Sequence, residues 1–252
     1  MNMSATMEKM KEMRLHGMVS SLKNIMNNGL SNNLTVYEIL THLIETEYLE
    51  RSNKKIERYL KQAKLRYTAC FSEVDFRDDR NLDKNLMLKL SDGNWVKSNK
   101  NVIITGATGV GKSYIACALG HQACVLGFKV LYFNCSKLLS QLKSAKQNQT
   151  YSNLLKSFSK TDILILDDFG IFPLDASDRL SLLEILEDRY NKKSTIVATQ
   201  IPVAKWHGCI NDNTIADAIL DRLIHNSQRI SLNGESMRKI YGNDLTNVGH
   251  LV

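Results

Sequence analysis

The sequence predicts an α/β fold in which a mostly parallel five-stranded sheet carries helices on both faces and follows a small all-α domain. Two observations lead to this prediction. From residue 99 onward, continuous apolar segments alternate with segments of helical periodicity, as is typical of a parallel sheet covered on both sides. Residues 4–66 instead repeat apolar residues at helical spacing. We therefore expect a helical DNA-binding or oligomerisation domain at residues 1–66, a linker at 67–98 and the sheet domain at 99–252.

The elements of the sheet domain follow from its apolar segments. The predicted strands are residues 102–105, 129–134, 162–167, 195–199 and 229–232. The predicted helices are residues 112–126, 136–144, 177–191 and 214–225. Residues 67–98 show neither pattern and contain pieces rich in Asn and Asp, so we expect them to be irregular.

A glycine-rich segment follows the first predicted strand and matches the pattern G-x-x-x-x-G-K-[ST]. It consists of Gly106, Ala107, Thr108, Gly109, Val110, Gly111, Lys112 and Ser113. The glycines allow backbone N–H groups to point at phosphate oxygens, and the next helix adds its positive end. Lys112 would reach the β- and γ-phosphates of ATP, Ser113 would hold Mg²⁺, and Tyr114 would complete the binding segment. An ordinary glycine-rich turn is the alternative, which the strand–loop–helix setting disfavours.

Two acids close the third predicted strand. Asp167 and Asp168 directly follow the apolar run Ile-Leu-Ile-Leu. A buried strand would hold Asp167 rigidly near Mg²⁺, while Asp168 could orient and polarise the attacking water. The alternative is ordinary solvation of a strand end. A phosphate-binding loop in the same chain favours the catalytic interpretation.

Three further side chains are candidates for ATP hydrolysis. Gln200 follows the fourth predicted strand and could contact the γ-phosphate or the water, with Thr199 as the neighbouring alternative. Arg222 is suited to reach the γ-phosphate of a neighbouring subunit, and Arg238 is suited to sense the nucleotide. A Gln after a strand is commonly just exposed, and an isolated helical Arg is usually a surface salt-bridge partner.

A basic block precedes the linker. The net charge of the chain is +7, and residues 51–66 contain seven basic residues against one acid. On a helix, five of these cations fall within an arc of about 120°, opposite a packing face of Ile56, Tyr59, Leu60 and Ala63. The five are Arg51, Lys54, Lys55, Arg58 and Lys61. A solvated helix face is the alternative, but the scarcity of interleaved acids favours contact with the phosphates of DNA.

Composition limits the other classes of protein. The five cysteines are odd in number and have no C-x-x-C spacing, which favours neither a disulfide framework nor a zinc site. A reducing, cytoplasmic compartment is therefore expected. The sequence has no stretch of 18 apolar residues and no secretory signal at its start, so neither a membrane span nor membrane association is predicted.

Several segments together resemble the IstB family. They are residues 14–18 (RLHGM), 81–84 (NLDK), 201–207 (IPVAKWH), 214–226 (TIADAILDRLIHN) and 234–239 (GESMRK). IstB-like proteins are AAA+ ATPases that assist the transposases of bacterial insertion sequences. The resemblance implies an AAA+ core, homo-oligomerisation, sequence-tolerant binding of duplex DNA and partnership with the transposase of the same element. Asp168 and Gln200 stand where Glu and Asn are common in AAA+ proteins, so turnover is expected to be slow.

Two other functions fit parts of the sequence. A helicase loader similar to DnaC would share the AAA+ core but act on a replicative helicase. A small-molecule kinase with a phosphate-binding loop would need a lid and an acceptor pocket, and it would leave Arg222 and Arg238 unexplained. No constellation for strand transfer is visible in the sequence, so the strand-breaking chemistry is expected to belong to the transposase.

Overall fold

The computed structural model describes residues 3–29, 34–237 and 239, with the exception of the Asp78 side chain. The chain divides into two compact units, Met1–Arg58 and Tyr59–Val252. The division falls within a long helix, upstream of the predicted domain boundary at residue 66. Within the described ranges, no helix is long and apolar enough to cross a lipid bilayer.

The first unit is helical, as predicted. Helices α1 (Met3–Glu12) and α2 (His16–Asn27) precede α3 (Val36–Ala63), which continues into the second unit. Thr35 and Glu38 form a capping box at the start of α3. The Thr35 N–H donates to Glu38 Oε2 at 2.7 Å, and the Glu38 N–H donates to Thr35 Oγ1 at 3.3 Å. The box satisfies two backbone donors that would otherwise lack partners at the helix end.

A close contact joins α2 to α3 at Gly17. A Cβ atom at position 17 would lie 2.6 Å from the Cα of Glu47, so only glycine permits this approach. The Glu47 carboxylate is buried and accepts hydrogen bonds from the N–H groups of Gly17 (2.8 Å) and Met18 (3.2 Å). It also accepts a bond from Arg51 Nε at 2.6 Å. Glu47 therefore caps α2 and fixes it against α3.

The second unit contains the predicted sheet. Its strands are β1 (Asn101–Gly106), β2 (Val130–Asn134), β3 (Ile163–Asp167), β4 (Ser194–Thr199) and β5 (Ser227–Leu232). The order is β2-β3-β4-β1-β5, and every neighbouring pair is parallel. The helices are α4 (Lys84–Ser91), α5 (Asn94–Lys97), α6 (Lys112–Val125), α7 (Cys135–Gln147), α8 (Tyr151–Ser159), α9 (Ala176–Arg189), α10 (Trp206–Ile210) and α11 (Asn213–Ile224). All five predicted strands and all four predicted helices are confirmed.

Helices cover both faces of the sheet. Successive strand residues point to opposite faces, so Ile104 joins the apolar cluster that contains α6 while Ile103 joins the cluster that contains α9 and α11. The central strands β3 and β4 are buried along their whole length. This two-sided burial explains why the strands read as continuous apolar runs.

The prediction of an irregular stretch at residues 67–98 is wrong. The segment contains α4 and α5, and its apolar side chains lie in the same cluster as β1 and α6. Trp95 is buried and donates from Nε1 to the Leu90 carbonyl at 2.8 Å. Asp83 caps α4 by accepting from the Asn85 N–H at 2.8 Å. Helices of eight and four residues are too short to show a helical period in the sequence, which is why they escaped prediction.

The Glu47 contacts lead to a pH-dependent prediction. Burial raises the pKa of Glu47, but the hydrogen bonds from Arg51, Met18 and Gly17 outweigh this effect and hold the pKa below its usual value. We expect Glu47→Gln to cost the α2–α3 pair about 1.5–3 kcal/mol at pH 7, because charged hydrogen bonds are lost. Because the pKa of Glu47 is lower in the folded state, its carboxylate stabilises the folded state fully at pH values above the unfolded-state pKa of about 4.3. This stabilisation disappears as the pH falls through the folded-state pKa.

Hydrogen exchange of α2, corrected for intrinsic rates, measures this effect at pH 7 and below pH 4. The variant should exchange faster at pH 7 and approach the wild type in acid. Glu50→Gln is the matched control, because Glu50 forms an exposed pair with Lys54 that should contribute little. If the variant lost equal protection from exchange at both pH values, a charge-based role for Glu47 would be contradicted.

Candidate active site

The sheet order brings three strand ends together. Strand β4 lies between β1 and β3, and all three run in parallel. Their carboxyl ends carry the glycine-rich loop after β1, Gln200 after β4, and Asp167 and Asp168 at the end of β3. Open parallel sheets bind ligands at this edge. Segments that are distant in the sequence therefore form one site.

The loop ends at the amino terminus of α6. Gly111 is the N-cap residue, with φ of 98°, a left-handed conformation that side chains rarely adopt. The first backbone N–H groups of α6 have no partner inside the helix, so this end can bind an anion. Lys112 is buried, and its Nζ donates to the Ala107 carbonyl at 2.7 Å. The lysine thus lies within the loop that was predicted to hold phosphates.

Ser113 and Asp167 lie side by side, as predicted for a magnesium site. The Ser113 hydroxyl donates to Asp167 Oδ1 at 2.9 Å, and Asp167 is only 1% exposed. Adjacent ligands of an octahedral Mg²⁺ with bonds of 2.0–2.1 Å are about 3 Å apart. The spacing and chemistry of these two oxygens therefore fit the ion. Nucleotide phosphates and water usually provide the remaining ligands at such a site.

Asp168 follows Asp167 in a left-handed conformation, with φ of 59°. Its side chain is one-third exposed, and Oδ2 accepts a hydrogen bond from Asn134 Nδ2 at 2.7 Å. Burial raises the pKa of Asp168, and the nearby Asp167 carboxylate raises it further. The charges of Arg66 and Lys112 and the bond from Asn134 offset part of this shift. The carboxylate is thus both accessible and held in place.

Gln200 lies against the glycine-rich loop. Its Oε1 accepts a hydrogen bond from the Thr108 hydroxyl at 2.5 Å, and its side chain is otherwise exposed. Thr199, the alternative, is fully buried and donates its hydroxyl to the Phe169 carbonyl at 2.7 Å. Of the two residues, Gln200 contacts the loop, whereas the Thr199 hydroxyl is bonded to the backbone in the core. Tyr114 turns towards the segment before α4, where its hydroxyl donates to Glu73 at 3.1 Å.

Two positions that the sequence analysis missed lie on β2. The Tyr132 hydroxyl donates to Asp167 Oδ2 at 2.5 Å, and Asn134 contacts Asp168 as described. Burial and the bond to Asp167 raise the pKa of Tyr132, which keeps the hydroxyl protonated. Residues two apart on a strand share a face, and Asn134 pairs in register with Asp167. The sequence signal that could have identified them is a pair of polar residues, two positions apart, at the end of an apolar strand.

Two arginines were also missed. Arg66 Nη1 lies 3.6 Å from Oδ2 of Asp167 and 3.6 Å from Oδ2 of Asp168. Arg80 is 4% exposed, and its Nη2 donates to the Val110 carbonyl of the loop at 2.9 Å. In the sequence, Arg66 is the last cation of the basic block and Arg80 lies in the stretch that was predicted to be irregular, and no local pattern distinguishes them. Only the fold shows that they contact the site.

Arg222 lies at the opposite end of the sheet from its own loop. Its carbonyl accepts from Asn101 Nδ2 at 2.9 Å, at the amino end of β1, whereas the loop begins at the carboxyl end. At about 3.3 Å per residue, the strand separates the two by roughly 16 Å. The guanidinium pairs with Glu187 and lies 5.9 Å from the centre of the Tyr190 ring. Arg238, the other predicted arginine, lies outside the described residues.

The predicted basic face is exposed on α3. Arg51, Lys54, Lys55, Arg58 and Lys61 are all exposed, whereas Tyr59 and Ala63 are buried. Acids one turn earlier qualify the prediction, because Arg51 pairs with Glu47 at 2.6 Å and Lys54 pairs with Glu50 at 2.5 Å. These acids precede the basic block and were not counted with it.

Comparisons with known proteins agree with this geometry. Residues 8–242 match the family model described as IstB-like ATP binding protein. The insertion sequence ATP-binding protein y4pL of Sinorhizobium fredii is 44% identical over 234 residues, which cover 93% of this chain and 96% of that protein. The IS1162 ATP-binding protein of Pseudomonas fluorescens is 40% identical over 198 residues, which cover 78% of this chain and 86% of that protein. The names of both relatives assign ATP binding only provisionally.

Solved structures support the fold. The DnaC helicase loader aligns with a TM-score of 0.54 and 20% identity, covering 68% of this chain and all of that chain. AMPPCP-bound DnaA from Aquifex aeolicus aligns with a TM-score of 0.58 and 16% identity, covering 75% of this chain and 58% of that chain. At such identities the likeness shows the fold alone, the parallel sheet with helices on both faces. With the match to the family model and the 44% identity to y4pL, the chain belongs to the family of IstB-like ATP binding proteins.

Proposed function

We propose that this protein is an ATP-hydrolysing, DNA-binding helper of the transposase encoded by an insertion sequence. The observation that carries the proposal is the meeting of Lys112, the Ser113–Asp167 pair and Asp168 at one edge of the sheet. ATP binding would assemble several copies on duplex DNA, and hydrolysis would release or remodel that assembly. The insertion-sequence origin of the relatives supports a transposase as the partner.

The loop residues bind the triphosphate. Lys112 would leave the Ala107 carbonyl and turn to the β- and γ-phosphates, where its charge contributes more. Ser113 and Asp167 would hold Mg²⁺, which neutralises phosphate charge when bound. Asp168 would orient the attacking water, and its bond to Asn134 sets the direction of the carboxylate. Gln200 lies beside Thr108, where it can contact the γ-phosphate or the water.

Assembly would complete the site. Arg222 cannot reach the loop of its own chain from the far end of β1, so a role in hydrolysis requires a second subunit. To contact the nucleotide of a second subunit, Arg222 would have to break its ion pair with Glu187 of the same chain. Homo-oligomerisation is therefore part of the proposal.

Duplex DNA would contact the exposed cations of α3. The lysines of α7 are an alternative DNA contact, namely Lys137, Lys143 and Lys146. Lys143 bonds Asp175 at 2.8 Å and Asp178 at 3.0 Å, and Lys146 bonds Ser181 at 2.7 Å. The five exposed cations of α3 form a larger basic surface than these three lysines, so α3 is favoured as the DNA-binding surface.

The first functional prediction separates binding from hydrolysis. Lys112→Ala should weaken ATP binding about 10- to 100-fold, the effect expected for loss of a charge-assisted hydrogen bond. Asp168→Asn should keep affinity within about three-fold while turnover falls by about 10²–10⁴, because only water activation is lost. Calorimetric affinity and phosphate release measure both quantities. Lys137→Ala controls for the loss of a lysine, and equal loss of affinity in both site variants would contradict the assignment of roles.

A second prediction concerns Arg222. Arg222→Ala should keep nucleotide affinity but lose turnover and ATP-dependent oligomers, measured by light scattering and phosphate release. Mixing it with Asp168→Asn subunits should restore part of the turnover, since one interface then contains both intact groups. Glu187→Gln is the matched control, because it breaks the same intrachain pair and leaves Arg222 available. If Glu187→Gln lost as much activity as Arg222→Ala, the arginine would be structural.

A third prediction concerns the basic face. Replacing Lys54, Arg58 and Lys61 with Ala should reduce the slope of log affinity against log salt by about two to three, at about 0.9 per phosphate contact. Sequence preference should stay low, because backbone contacts carry no base information. Arg51 is left intact since it bonds Glu47.

Titration of labelled duplex DNA at several salt concentrations measures the slope. A triple alanine variant at Lys84, Lys97 and Lys156 removes the same charge from exposed positions outside α3 and α7. If both triple variants changed the slope equally, the DNA contact would be diffuse rather than located on α3.

A further inference from the structure

Arg66 has a position that the proposed function does not use. It lies three residues after the last residue of α3, and its guanidinium is 3.6 Å from a carboxylate oxygen of each active-site aspartate. The Tyr132 hydroxyl, which donates to the same Asp167 oxygen that Arg66 approaches, lies nearby. The Arg66 side chain is 41% exposed, so that it has room to move. A cation near both catalytic acids, on the segment that leaves the basic helix, is suited to regulation.

The contacts of Asp167 divide between its two oxygens. Oδ1 accepts from the Ser113 hydroxyl at 2.9 Å and the Asp168 N–H at 3.0 Å, on the side where Mg²⁺ would be held. Oδ2 accepts from Tyr132 at 2.5 Å, and Arg66 approaches the same oxygen. Arg66 and Tyr132 therefore anchor one oxygen and leave the other directed at Ser113. We regard Arg66 and Tyr132 as positioning residues, because the groups they contact are the two carboxylates.

The chain on both sides of Arg66 is packed firmly. Tyr59 and Ala63, in the last turns of α3, are buried in the apolar cluster that contains α6, and Leu65 and Tyr67 pack against it. Lys61 lies on the exposed side of the same turns, five residues before Arg66. Packed interiors transmit displacements rather than absorb them. Phosphates that pull on Lys61 would therefore shift the segment that carries Arg66.

We propose that Arg66 couples duplex DNA bound on α3 to the catalytic aspartates, by positioning Asp167 together with Tyr132 and by contacting Asp168 directly. This inference rests on the proposed function, since it assumes DNA on α3 and hydrolysis at Asp168. Removing Arg66 should uncouple the two events without abolishing either one. DNA would still bind and ATP would still bind, but turnover would no longer respond to DNA.

The test compares Arg66→Gln and Arg66→Lys with wild type and with Lys64→Gln. Lys64 is exposed and two residues away, so that its replacement removes the same charge while leaving Arg66 in place. With saturating duplex DNA, kcat should rise several-fold in wild type and in Lys64→Gln. In Arg66→Gln, kcat without DNA should fall about 10-fold, as for other lost supporting contacts, with KM little changed. The DNA-dependent rise should disappear in that variant. Arg66→Lys keeps the charge but not the planar fork, and should retain part of the response.

Tyr132→Phe provides an independent variant, because it removes only the hydroxyl. If the residues act in series, the double variant Arg66→Gln/Tyr132→Phe should be no slower than the slower single variant. Additive losses would overturn the series arrangement. An undiminished response to DNA in both Arg66 variants would overturn the proposal while leaving the proposed function intact.

A measurement without nucleotide distinguishes a failure of the role proposed for Arg66 from a failure of the proposed function. Hydrogen exchange of residues 163–170 should change when DNA binds to wild type and stay constant in Arg66→Gln. If wild type hydrolysed no ATP, the proposed function would fail, yet this comparison would still test Arg66. Identical exchange responses in the two proteins would overturn the coupling role, and so would failure of the wild type to bind duplex DNA.

Discussion

A buried negative charge organises the active edge of this protein. Asp167 is 1% exposed, and a carboxylate at such depth is costly unless it is paired and hydrogen-bonded. Four groups meet this requirement: the Ser113 hydroxyl, the Asp168 N–H, the Tyr132 hydroxyl and the Arg66 guanidinium. They come from four parts of the chain, and the parallel register of β2 and β3 brings Tyr132 and Asp167 within reach. The phosphate-binding loop, the strand end and the segment after α3 are thus fixed by one carboxylate.

The sequence predicted those features that depend on local or periodic patterns. The five strands were predictable because two-sided burial demands continuous apolar runs, and the loop because only certain residues form a phosphate-binding turn. The exposure of the five cations of α3 followed from helical geometry. Gln200 was predicted from its place after β4, and the structure brings it to Thr108.

Features that depend on contacts between distant residues were not predictable. Arg80 looks like part of an acidic turn, yet it is buried against Val110 of the loop. Tyr132 and Asn134 gain their roles only when β2 pairs with β3. Glu47 pairs with Arg51 along the helix, but its bonds to Gly17 and Met18 span about 30 residues. The pairs of Arg51 and Lys54 with acids four residues earlier follow from the sequence of α3, whereas the bonds of Glu47 to α2 depend on tertiary packing.

The location of Arg222 has a consequence for reaction order. The arginine and the loop of the same chain stand at opposite ends of β1. Whatever Arg222 adds to phosphate cleavage must therefore be delivered to another molecule. ATP turnover that depends on Arg222 of a second subunit would therefore increase more steeply than in proportion to protein concentration when the protein is dilute. Dilute protein would conserve ATP, and local crowding of subunits on a DNA segment would by itself start the reaction.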